Sequence, residues 1–190
     1  SFIAFLFIYK ISKMVGGIRM AFITSVLFLM HPGLTVYSVR LHPLILSVAL
    51  FSLAIYYFLS LLEGRDTFRN SILLGLFAGM AILTRATIGL FIPFAAIIII
   101  YKMRHMGYRV LSVFFVIAIG LLLVLTPLIV RNYKTFHKIV VFPNDSGVNF
   151  WTGNNRDSLG TAKTMDNKSV LSSQRDFIKK IKGLDEFTQK

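Results

Sequence analysis

Apolar residues fall in long runs broken by short polar or breaker-rich interruptions, and the run lengths sort the chain into predicted membrane spans. Ser1 to Ile11 reads as the end of one span, closed by Lys10 and Lys13, and Ile18 to Met30 as a second, stopped by His31-Pro32-Gly33. Pro43 to Leu62 is an uninterrupted apolar run of spanning length. Pro43 stands at its first turn, where a missing N–H costs nothing. After the charged loop EGRDTFRN, Ser71 to Leu83 is short and rich in small residues (Gly75, Ala78, Gly79, Ala81), which suits a helix packed inside a bundle. Thr87 to Tyr101 and Val110 to Val130 complete the series, separated by KMRHMGYR, with Pro127 near the exit of the last.

Beyond Arg131 the pattern changes. Lys138-Ile139-Val140-Val141-Phe142 alternates as a short strand does, and Pro143-Asn144-Asp145-Ser146-Gly147 and Gly153-Asn154-Asn155 carry turn chemistry. From Ser169 onward, Phe177, Ile178, Ile181 and Leu184 share one helical face opposite Lys179, Lys180 and Lys182, the pattern of an amphipathic helix lying on a membrane or on the bundle. The predicted architecture is an all-α polytopic transmembrane bundle over residues 1–130, of about five to six spans, followed at 131–190 by a small mixed extracytoplasmic segment.

Composition strengthens this picture. The chain is 55% hydrophobic and 15% charged, with a mean hydropathy of +0.70, more apolar surface than a soluble domain of this size can bury. Cysteine is absent, which excludes disulfides, thiolate catalysis and cysteine-zinc sites. The chain opens inside an apolar run with no initiator Met or basic leader, so it reads as an internal fragment.

A net charge of +13 invites a nucleic-acid reading. The placement of the cations argues for topology instead, and nucleic acid is not expected as a partner. Loops around 10–19, 63–70 and 102–109 carry Lys10, Lys13, Arg19, Arg65, Arg69, Lys102, Arg104 and Arg109, whereas the alternate loops carry Arg40 and Arg85. Eight cations against two follow the positive-inside rule, which puts the first set in the cytoplasm and the second, with the segment from Arg131, outside. Acids are scarce throughout the spans: up to Val130 there are only Glu63 and Asp66.

Candidate chemistry collects on that outer side. Arg40 and His42, Arg85 in LTRAT, and Arg131-Asn132-Tyr133 stand beside the ends of spans with no acid nearby in sequence. Cations at membrane depth call for an anion. A lipid phosphate suits the planar, bidentate guanidinium. An arginine at a helix end also snorkels to ordinary headgroups, an equally good account of Arg40. Arg85 has hardly any loop to escape into, which favours a specific role. His42 is a candidate ligand for a divalent metal, although one histidine makes no site. Asp145 and Asp157 are candidate acceptor or cation contacts that turn formation explains equally well; Trp151 with Phe150 reads first as an interfacial anchor, although beside Asn154 and Asn155 the aromatic pair also resembles a sugar-stacking platform.

The run GLFAGMAILTRATIGLFIPF resembles a segment of the polyprenyl-phosphate-sugar-dependent glycosyltransferases of the GT-C type, the superfamily of protein mannosyltransferases and the lipid A aminoarabinose transferase. TPLIVRNYKTFHKIVVFPNDSGVNFWTGNNRDSLGT is similar to a second, more specific stretch found in many bacterial members. The resemblance implies inverting transfer of a sugar from a polyprenyl-phosphate carrier to a lipid, glycan or protein hydroxyl, on the non-cytoplasmic face of a multi-pass membrane protein, most readily a bacterial inner membrane. It also implies that Arg85 and Arg131 hold the carrier phosphate with Tyr133 and Asn132 in support. The family's catalytic base is an Asp in its first outer loop. This chain has no outer-side acid before Asp145, so that base is expected upstream of Ser1. Ala86 replaces the proline common after the Arg of LTR, and His42 stands where the family often has an acid. A lipid-linked-sugar transporter and a non-catalytic membrane scaffold are the alternatives, and the almost wholly apolar mid-span positions disfavour the transporter.

Overall fold

A computed structural model of the chain describes residues 2–33, 43–137 and 154. Chain contacts divide the protein into a unit Ser1–Val141 and a unit Phe142–Lys190. The first contains α1 (Phe2–Met30), α2 (Pro43–Leu62), α3 (Thr67–Thr84), a 3-10 turn (Ala86–Leu90), α4 (Phe91–Met103), a second 3-10 turn (Arg104–Met106) and α5 (Tyr108–Phe136). Among the described residues the protein is helical, with five helices long and apolar enough to cross a membrane when the first 3-10 turn is counted with α4. The strand expected at 138–142 and the amphipathic helix expected from Ser169 lie outside the described residues.

The first helix is two arms folded on each other. At about 1.5 Å per residue a straight helix would hold Phe5 and Phe28 roughly 35 Å apart, yet their ring centroids are 6.2 Å apart. The reversal is at Gly17, whose φ of 74° and ψ of −169° belong to a region open essentially to glycine. The two apolar runs expected on either side of this point therefore pack as a hairpin, its buried residues the small Ala4, Ala21 and Ser25. A Cβ on Gly17 would meet nothing within 4 Å, so the effect of Gly17→Ala isolates backbone strain. We expect it to lower stability by about 1–3 kcal/mol, read as an earlier unfolding midpoint in detergent.

Helix α3 is the centre of the unit, packed along both α2 and α5. It begins at Thr67, earlier than the apolar pattern indicated. Asp66 caps it by accepting the Arg69 N–H at 3.3 Å, and the buried Asn70 side chain donates to the Arg65 carbonyl. These local bonds satisfy backbone groups that hydropathy cannot see. The buried Ser47 and Ser71 donate to helix carbonyls, Ser47 to that of Pro43 at 3.0 Å and Ser71 to that of Thr67 at 2.6 Å, so these two hydroxyls sit in an apolar bundle satisfied, whereas the buried Ser60 hydroxyl has no partner among the described residues. The core joins Ala54, Phe58, Leu61, Leu74, Ala78, Ala95, Ile99, Met103 and Val113, with Phe91 edge-on to both Phe51 and Phe58. Large side chains such as Phe94, Ile97, Leu111 and Phe115 face outward, the surface that lipid covers in a membrane protein.

The α3·α5 contact sets the geometry of everything beyond it. Gly75 lies against Ile117 and Gly120, and Gly79 against Leu121 and Val124. Residue numbers rise together along both helices, so the pair is parallel. A Cβ on Gly120 would stand 2.6 Å from the Ile72 carbonyl oxygen and 2.9 Å from the Leu76 nitrogen, so the two backbones are in direct contact. Only small residues permit such an approach.

Candidate functional site

The parallel register carries Arg85 and Arg131 to the same end of the bundle. From the level at which Gly79 meets Leu121 and Val124, six further residues on each helix bring Arg85 level with the turn Pro127–Val130, directly before Arg131.

Each arginine is set by its helix end. Helix α3 stops at Thr84, whose hydroxyl donates to the Ala81 carbonyl at 2.6 Å. Arg85 then leaves helical geometry with φ −149° and ψ 110°, while its N–H still donates to Ala81 O at 3.0 Å. Its own carbonyl accepts the Ile88 N–H at 3.0 Å, which starts the 3-10 turn. The expected fifth span thus opens as this turn, with α4 proper from Phe91. One extended residue between two helical segments projects Arg85 outward, and it is exposed.

Arg131 has a different setting from the one expected. The last helix does not end at Val130 but continues to Phe136, where His137 closes it in the left-handed conformation. Nothing from Arg131 to Phe136 breaks a helix, and Thr135 donates its hydroxyl to the Arg131 carbonyl at 3.0 Å. Arg131, Asn132 and Tyr133 are therefore helical side chains projecting in different directions. Arg131 and Tyr133 are exposed and Asn132 is half-buried. The Tyr133 ring stands edge-on to His137, centroids 6.4 Å apart.

Electrostatically this end is cationic. Among the described residues an ion pair joins Arg65 to Glu63 at 2.8 Å, at the opposite end of α3, and neither Arg85 nor Arg131 meets an acid. Two exposed guanidinium groups at one boundary can bind a phosphate by paired, charge-assisted hydrogen bonds. Arg40, His42, Asp145, Trp151 and Asn155 lie outside the described residues; Asn154 is helical and exposed. Among the described residues no three His, Asp or Glu side chains come together as a metal site.

In the sequence Lys102 and Arg109 are markers of sidedness alone. Both line a cavity of about 630 Å³ at the end of the bundle away from Arg85, where the α2–α3 and α4–α5 turns meet. The available signal was two cations flanking one tight helix-to-helix turn, which must return them to the same end.

No curated protein and no solved structure matches the chain. A family model does: residues 1–130 match that of the dolichyl-phosphate-mannose-protein mannosyltransferases. The match covers the helical bundle through Val130, including Arg85 and the close α3·α5 crossing. Taken with five helices long and apolar enough to cross a membrane, it shows that this integral, multi-pass membrane chain belongs to the dolichyl-phosphate-mannose-protein mannosyltransferase family, glycosyltransferases of the GT-C type.

Proposed function

We propose that the protein moves a sugar from a polyprenyl-phosphate carrier to a hydroxyl of a lipid, glycan or protein acceptor on the non-cytoplasmic face, with Arg85 and Arg131 on the carrier phosphate. The acceptor oxygen attacks the anomeric carbon as the bond from that carbon to the phosphate oxygen breaks. The electron pair stays on the phosphate. The acceptor proton passes to a carboxylate, which the family resemblance puts in the first outer loop. Charge grows on the phosphate as the bond breaks, so fixed guanidinium donors aimed at it lower the barrier electrostatically. Tyr133 and Asn132 supply further polar groups beside Arg131, and Arg40 belongs to the same proposed set, as does the acceptor-side group Asp145, Trp151, Asn154 and Asn155.

The observation that carries this reading is the parallel α3·α5 register, which brings the arginines of LTRAT and RNY to one end with no acid paired to them among the described residues. Native mass spectrometry of the full-length protein with added polyprenyl phosphate tests it. Wild type is expected to retain the carrier, and Arg85→Ala with Arg131→Ala to weaken retention about tenfold or more, the scale of losing charged hydrogen bonds. A wild-type protein that retains none would overturn the assignment.

A further inference from the structure

At the other end of the bundle, the cavity of about 630 Å³ is lined by both ends of the α2–α3 turn and both ends of the α4–α5 turn. Its inner wall is apolar, formed by Leu61, Leu62, Met103, Val113 and Val116, of which Leu61, Met103 and Val113 are buried. Lys102 and Arg109 also line it, with the hydroxyl-bearing Thr67, Ser71 and Ser112 between. A volume in the range of about 300–1,000 Å³ is that of small-ligand sites. An apolar interior with cations at its edge selects an amphiphile with a negative head.

The charges around the cavity favour an anion. Glu63 contributes an acid to the lining, but its carboxylate is taken by Arg65 at 2.8 Å. Asp66 accepts from the Arg69 backbone. Arg104 is turned away, its guanidinium packed over Tyr101 with 4.8 Å to the ring centroid. That leaves Lys102 and Arg109 as the cations lining the cavity among the described residues, with no acid paired to either. Both occupy helix-end positions, Lys102 in the last turn of α4 and Arg109 in the first turn of α5. At Arg109 the positive end of the helix dipole adds to the attraction for a negative group.

We infer that this cavity binds an anionic membrane phospholipid, its phosphate headgroup on Lys102 and Arg109 and its first acyl methylenes against Leu62, Val113 and Val116. The site is separate from the one proposed for the sugar carrier, because it lies at the opposite end of α3. Its occupant ties α2, α3, α4 and α5 together at the end where short turns connect them.

The test uses the full-length protein in nanodiscs of mixed phosphatidylcholine and phosphatidylglycerol, released and weighed intact with its retained lipid. Wild type is expected to keep phosphatidylglycerol in preference to phosphatidylcholine. Lys102→Gln and Arg109→Gln should each reduce that preference about fivefold, as expected for a cation facing an anionic leaflet. Ser112→Trp, which fills the cavity and leaves both charges, should also lose the retained lipid, and Arg104→Gln should keep it. Unchanged retention in the Lys102→Gln/Arg109→Gln double variant would overturn the proposal. So would retention by Ser112→Trp, since the lipid would then sit on the surface. Displacement of phosphatidylglycerol from wild type by added polyprenyl phosphate, undiminished in Arg85→Ala/Arg131→Ala, would reassign the cavity to the carrier and overturn it as stated.

Discussion

Arg85→Ala in the full-length enzyme is expected to lower the turnover of sugar transfer by about 10²–10³-fold, the cost of removing one fixed donor from a developing anion. The main competing explanation for an arginine at this position is generic. Arg85 caps the C-terminal end of α3, where any cation gains about 0.3–1 kcal/mol from the helix dipole, and its stem could simply snorkel to a headgroup. Those explanations predict that Arg85→Lys behaves as wild type. If the guanidinium holds a phosphate through two parallel hydrogen bonds, lysine retains the charge but not the fork, and turnover should fall between wild type and alanine. The split between kcat and KM adds a second readout. A group that acts as the phosphate bond breaks lowers kcat, whereas one that binds donor and transition state equally raises KM alone. Transfer within about twofold of wild type in Arg85→Ala would leave only the capping role.

The second large effect is expected at the helix crossing. Gly120→Leu should dismantle the α3·α5 pair, because even the first carbon of the side chain would overlap the Ile72 carbonyl and the Leu76 nitrogen. Those are backbone atoms of a helix and cannot swing aside, so the helices must separate. Gly120→Ala should already cost about 1–3 kcal/mol as an overpacked contact, measurable by thermal unfolding in detergent. It should also lower transfer, although Gly120 is far along α5 from Arg131, because the crossing sets the register that levels the two arginines. Gly79→Ala makes a useful comparison: its Cβ would stand 3.2 Å from the Val124 Cβ, a milder overlap than the 2.6 Å at Gly120, so its effect should be smaller. Equal stability of Gly120→Leu and wild type would mean that the two helices do not touch as described.

Much of this architecture was legible in the sequence, for an identifiable reason. Lipid imposes a strong, one-dimensional requirement: about 20 apolar residues to cross, with polar groups and breakers between. Run lengths therefore located the helices, and the turns at Glu63–Asp66 and Arg104–Gly107 fell where charges clustered. The short, small-residue segment around Gly75 and Gly79 correctly pointed to a helix inside the bundle, since close packing is the chief use of such residues in a membrane. Boundaries were less legible. The start of α3 at Thr67 depends on the Asp66 cap, and the extension of α5 to Phe136 depends on a polar sequence that nonetheless contains no helix breaker.

By itself the sequence determined that this chain lives in a membrane, where its spans lie, and which arginines stand at their ends. It also held the residue signatures of its family. Only the tertiary structure decided which faces of those spans meet each other and which meet lipid. In water the two faces of a helix differ in polarity, but here both are apolar, so the hydrophobic pattern carries almost no information about direction. The parallel contact of Gly75 with Gly120 had to be seen before Arg85 and Arg131 could be brought to one level. Likewise, Lys102 and Arg109 became a cavity's cations only once the short turns had folded four helix ends together.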